Sequence, residues 1–190
     1  AWEVSKIIVH PKLPISPTLV RFKPTQKTDV GLVIHAQSIT LTPGTITMHP
    51  VATSDTVWIL PTQTTGEYFI LENRAAVESD TAQMNPGYSR AKSPGLYLWH
   101  IDQGRISQGM FFNTVNAGAI HGVALVEADG LDQLRTPGGG NRGDLGDAFP
   151  GSTGNTVVDA CTLPGLRTNA GKLVSGRLDS IRIGVDQEVE

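Results

Sequence analysis

The sequence predicts a mainly β fold, an antiparallel β-sandwich-like domain with long loops and little helix, and three observations carry that reading. Glycine (21) and proline (12) punctuate short segments rich in β-branched and aromatic residues. No stretch holds a sustained helical period. Turn signals recur between the segments, as in Lys12-Leu-Pro-Ile-Ser-Pro17, Thr42-Pro-Gly44, Asn85-Pro-Gly87 and Ser93-Pro-Gly95.

In chain order the expected strands are Val4–His10, Thr18–Phe22, Gly31–Leu41, Thr45–Met48, Thr56–Leu60, Glu67–Glu72, Gly95–Ile101, Gly122–Glu127, Thr156–Val158 and Ser180–Val185. Within the third, Leu32, Ile34, Ala36 and Ile39 alternate with polar neighbours, which predicts one solvated face. The middle strands differ. Tyr68–Leu71, Leu96–Trp99 and Val123–Val126 are apolar on both faces, the pattern of strands covered on two sides, and they are the expected core. Two long loops, 73–93 and 130–154, separate or follow these strands, and loops of that length in a folded domain are commonly functional. A short helix is expected at Leu131–Leu134 with Asp129 as its N-cap.

With 190 residues, 39% hydrophobic and 17% charged, the chain is expected to form a single β-rich domain over 1–190. Residues 1–65 supply its N-terminal strands. Lys plus Arg number 15 against 18 Asp plus Glu, for a net charge of −3, and the basic residues are scattered, which argues against a nucleic-acid partner. No apolar run reaches about 18 residues, so no membrane span is expected. The lone Cys161 excludes an intrachain disulfide and a thiolate zinc cluster, and is expected to be a small buried hydrophobe. Neither a signal-peptide pattern nor an initiator Met begins the chain, which reads as a piece of something larger.

Each middle strand ends in charge, and that is where chemistry is sought. Glu127, Asp129, Asp132, Asn141, Asp144 and Asp147 gather hard oxygen ligands among flexible glycines, a donor set suited to calcium. The same residues serve equally as Asx-turn acceptors and a helix cap. His100 and Asp102, two apart on a strand, leave one face, where they could share a metal or make hydrogen bonds at the strand end. Glu72 and Arg74 also share a face, suited to an ion pair or a clamp on a loop carboxylate. Glu67 and Glu72 lie on opposite faces, which excludes a glycosidase-type carboxylate pair. His-Glu-x-x-His, Gly-x-Ser-x-Gly and a phosphate-binding Gly-Lys-Ser/Thr loop are all absent, so the residues assign no catalytic position.

Taken in order, Gly66-Glu-Tyr-Phe-Ile-Leu-Glu-Asn-Arg74, Ser93-Pro-Gly-Leu-Tyr-Leu-Trp-His-Ile-Asp102, Val126-Glu-Ala-Asp-Gly130 and Gly146-Asp-Ala-Phe-Pro-Gly151 resemble motifs of the immune inhibitor A family of secreted bacterial zinc metalloproteases. The resemblance covers residues 66–151. It implies a non-catalytic, calcium-binding β-rich portion of a secreted metalloprotease, packed against an adjacent protease domain and in contact with protein substrate, with zinc held only in an upstream domain. Two readings compete: a carbohydrate- or surface-binding β-sandwich using Trp58, and a metal-dependent hydrolase using His100, Asp102, Glu127 and Asp129.

Overall fold

Antiparallel pairing of short strands organises the chain. The computed structural model describes residues 2–10, 18–24, 34–40, 45–54, 56–88, 91–136 and 141–185. Its strands are β1 (Trp2–His10), β2 (Thr18–Pro24), β3 (Ile34–Thr40), β4 (Thr45–Met48), β5 (Thr56–Pro61), β6 (Glu67–Arg74), β7 (Gly95–Asp102), β8 (Val123–Leu125), β9 (Val158–Asp159) and β10 (Arg177–Val185). They form a four-stranded sheet in the order β4-β1-β10-β9 and a six-stranded sheet in the order β3-β2-β5-β6-β7-β8. Among the described residues every strand pair is antiparallel, as the turn spacing predicts.

The two sheets share one core. Ile46 and Met48 of β4, Val158 of β9 and Leu178 and Ile181 of β10 pack with Trp58, Leu60, Phe69, Leu71, Leu96 and Leu98 of the larger sheet. Because side chains alternate along a strand, the other face of β7 and β8 carries Tyr97, Trp99 and Leu125, and these meet Met84 and Ala148 from the two long loops. The middle strands are therefore covered on both sides, as their unbroken apolar runs imply.

Several expectations are corrected. The third strand is described over Ile34–Thr40; the rest of Gly31–Leu41 and the alternating side chains lie outside the described residues, as do Pro137–Gly140. Helix α1 (Gln103–Gly109) is unannounced by any period, since it spans only seven residues; what starts it is Asp102, whose carboxylate accepts from the Arg105 N–H at 3.0 Å. The helical turn expected at Leu131–Leu134 is a 3-10 turn at Gln133–Arg135. Asp129 does not cap it, and instead closes an Asx-turn onto the Leu131 N–H. Cys161 is exposed, because its backbone turns outward around the Asp159 carboxylate. Trp58 is buried in the main core, so it offers no flat aromatic face to a sugar.

Candidate functional site

On the outer face of the six-stranded sheet, β6, β7 and β8 present a row of polar and aromatic side chains. Glu72 Oε1 accepts from Arg74 Nε at 2.7 Å and from Trp99 Nε1 at 2.8 Å, while Arg74 Nη1 donates to Asp80 Oδ1 at 3.2 Å. The ion pair and the clamp on a loop carboxylate suggested by the sequence thus coexist. Tyr97 lies under the Arg74 guanidinium, with its hydroxyl donating to Ser93 O. Its pKa is raised, first by burial and then by the Asp147 charge. These residues border a cleft of about 590 Å³ whose lining also includes Leu125, Arg135 and Asp147.

The acidic loop closes one side of this cleft; one pair of backbone bonds anchors its far end to β7, and a second pair joins its two arms to each other. Leu96 and Phe149 exchange N–H donors at 2.8 and 2.9 Å, and the Ala128 and Asp129 N–H groups donate to Asp147 O and Gly146 O. Within this frame most of the carboxylates are spent on the chain itself. Glu127 is 1% exposed, and its two oxygens accept from the Gln133 and Leu134 N–H groups at 2.7 and 2.8 Å. Asp144 accepts from the Gly146 N–H and from the Asn141 amide, which also donates to Gln133 Oε1. Asp132 projects into solvent beside Arg135.

Asp147 differs. It is 1% exposed, its Oδ2 accepts from the Asp144 N–H at 2.7 Å, and its Oδ1 is buried with no partner. Burial raises its pKa to about 6; the Asp144 N–H works against that rise, and the charges of Asp144, Glu127 and Asp129 add to it. Burial also raises Glu127, against the two N–H groups it holds. Asp129 and Asp144 oxygens converge on Gly146, where a methyl group would stand 2.6 and 3.1 Å from them. A larger residue there would have to push the Asp129 carboxylate aside. Five of the six proposed calcium ligands, Glu127, Asp129, Asn141, Asp144 and Asp147, are thus gathered in one loop system, with Asp132 turned away. Even so, among the described residues no three His, Cys, Asp or Glu side chains are close enough together to hold a metal ion.

His100 and Asp102 do not converge on a common point. The His100 ring stacks on Phe69 at 4.9 Å, and its Nε2 lies 3.0 Å from Glu67 Oε2, which also accepts the Asn169 N–H. Burial lowers the His100 pKa against the pull of Glu67. Asp102 caps α1 with one oxygen and accepts from Asn169 Nδ2 with the other; burial pushes its pKa up, but these bonds outweigh it and the net shift is downward. Both residues serve the hydrogen-bonded scaffold that ties the β6–β7 hairpin to the 160s loop.

Residues 1–81 match a family model, MNHE, described as a Na+/H+ ion antiporter subunit. The match runs from β1 through β6 and ends at the turn that holds Asp80. It covers less than half of the 190 residues and marks a likeness of the N-terminal part. No curated protein and no solved structure matches the chain. Among the described residues no helix is long and apolar enough to cross a membrane.

That match overturns the resemblance to immune inhibitor A metalloproteases, to which no comparison connects the chain. The secreted location, the adjacent protease domain and the protein substrate fall with it, and neither the carbohydrate-binding nor the hydrolase reading gains support. A physical reason for the false lead is visible in the strands. Apolar runs ending in charge arise wherever a central strand emerges beside a compensating partner, and here Glu72, Arg74 and Asp80, or Glu67 and His100, compensate one another. Sequence reasoning passed over the exposed Met110-Phe111-Phe112 turn, although two adjacent phenylalanines in a stretch without acidic residues were a visible signal.

Proposed function

We propose that the chain is a non-enzymatic module of a sodium/proton antiporter assembly, and that its acidic loop takes up a hard cation in exchange for the proton of Asp147. The similarity of residues 1–81 to an antiporter subunit supports the first half of this reading. What carries the second half is the buried Asp147 Oδ1, an oxygen with no hydrogen-bond partner beside three other carboxylates. Such an oxygen favours either a proton or a cation, and the two exclude each other. The carboxyl group releases H+ as the cation binds. Asp129, Asp144 and Asn141 are the remaining oxygen donors within the loop, a hard donor set that suits calcium or sodium better than a softer metal. Since no three such acids among the described residues are close enough to hold an ion as they stand, binding draws them in around Asp147.

Isothermal titration of the chain with calcium and with sodium, at pH 5 and at pH 8, tests the proposal. Binding at pH 8, where the carboxyl is already ionised, is expected to weaken at least about tenfold at pH 5, where the ion must displace the Asp147 proton and binding releases H+, and to be abolished by D147N. Absence of binding by either ion at pH 8 would sink the cation reading.

A further inference from the structure

Between β7 and β8 the chain makes an excursion whose tip is apolar and open to solvent. Helix α1 leads directly into the 3-10 turn Met110–Phe112, where Met110 is 59%, Phe111 85% and Phe112 78% exposed. The return through Ala117, Gly118, Ala119 and Ile120 is exposed as well. Isolated exposed hydrophobes need no explanation, but two adjacent phenylalanines and a methionine presented together do.

The tip is held in shape by its base. Thr114 N–H donates to Gly109 O and Gly122 N–H to Val115 O, both at 2.9 Å. The Asn116 amide exchanges two hydrogen bonds with the Val123 backbone, at 2.8 and 3.0 Å. Gly109 is where this base closes, since a methyl group there would stand 2.5 Å from Val115 N. A pre-shaped convex tip loses little conformational freedom on binding.

Charge narrows the choice of partner. From Gln103 to Val126 there is no Asp or Glu, in a chain that has 18 of them, and the basic side chains in the stretch are Arg105 and His121. The flanking acids are already engaged, Asp102 with Arg105 N–H and Asn169, and Glu127 with Gln133 and Leu134. An apolar tip whose own stretch carries Arg105 and no acid, and whose return at Ala119 and Ile120 borders Arg135 and Arg167 as well as Asp132, suits the headgroup boundary of an anionic bilayer, into which aromatic side chains insert readily.

We propose that the Met110-Phe111-Phe112 tip docks the protein on anionic phospholipid by inserting its side chains into the bilayer interface. This stands apart from the antiporter similarity, which ends at residue 81, and from the acidic loop. Co-sedimentation of the full chain with mixed phosphatidylcholine and phosphatidylserine vesicles tests it, with pure phosphatidylcholine vesicles alongside. The chain is expected to favour the mixed vesicles, and the double substitution F111S/F112S is expected to lower partitioning at least about tenfold. Thermal melting should not change, since both rings are exposed, so loss of folding cannot mimic the result. Sedimentation with neither vesicle type, or unchanged sedimentation of the variant, would overturn the proposal. So would a concentration-dependent dimer that F111S/F112S dissolves in the absence of vesicle binding, which would assign the tip to a second copy of the chain.

Discussion

Asp147 carries an ionisable carboxyl where only one backbone N–H greets it. Its folded pKa, about 6, lies above the ordinary aspartate value of 3.8, so its contribution to stability is fully present below about pH 3.8 and is lost as pH rises through 6. In buffer free of binding cations, D147N is therefore expected to be more stable than the parent at pH 7, by roughly 2 kcal/mol, and equal to it near pH 4. Paired thermal melts at the two pH values check this; equal melting temperatures at pH 7 would contradict the burial argument. His100 runs the other way. Its pKa is depressed, so the stability it contributes holds above its ordinary value and is lost as pH falls through the folded value. Residue type and spacing grouped Asp147 with Glu127, Asp129, Asp132, Asn141 and Asp144 without singling it out. Nothing in the spacing distinguishes it from Glu127, because that distinction depends on which backbone N–H groups the folded loop turns inward.

At the scale of elements, β7 positions the acidic loop. It pairs with β6 along its whole length, while on the other side β8 reaches only from Ile101 to Trp99 and Phe149 bridges at Leu96. Gly95 permits that bridge. Its φ of +147° is foreign to other residues, and a methyl group would stand 2.4 Å from Phe149 O. G95A is expected to destabilise the protein by about 2 kcal/mol or more and to speed hydrogen exchange of the Phe149 amide. Gly118, at φ +85° with open space around it, provides the comparison, since G118A costs only the backbone strain of about 1 kcal/mol. Denaturant melts of the two variants separate the effects, and equal losses would refute the role given to the bridge. The strands themselves were legible because β-branched and aromatic runs between turn residues announce them. Helix α1 was not, being too short to show a period and dependent on one Asp102 bond. β8 proved shorter than its apolar run because Glu127 and its neighbours leave the edge to cap another turn.

At the scale of the whole molecule, burial among the described residues is concentrated in the β6–β7 pair and its partners from the smaller sheet, where Phe69, Leu71, Leu96, Leu98, Leu178 and Ile181 are at most 1% exposed. Native-state hydrogen exchange is expected to be slowest in the β6 and β7 amides and fastest in the Met110–Ile120 excursion, apart from the Met110, Thr114 and Ala117 amides, which donate to Ile106 O, Gly109 O and Thr114 O. A tip protected as strongly as β7 would show that it is covered in solution. Function was less legible than fold at this scale. The residue types that build a metal or protease site also build strand-end ion pairs and capped turns, and the sequence does not say which partner each charge meets after folding. The likeness that comparison does find lies in residues 1–81, which take in only the first of the four motifs, Gly66–Arg74, and none of the three that follow.

The edge beyond β7 is shared by two segments, Val123–Leu125 and Phe149, with the acidic loop as a detour between them. A detour of this kind is modular: its length and its charges can be exchanged wholesale while both anchor points, and hence every strand register, stay as they are. The sheet would serve as a mount on which one loop chemistry is swapped for another, so that two chains of the same architecture could differ entirely in the charges they present beside β7.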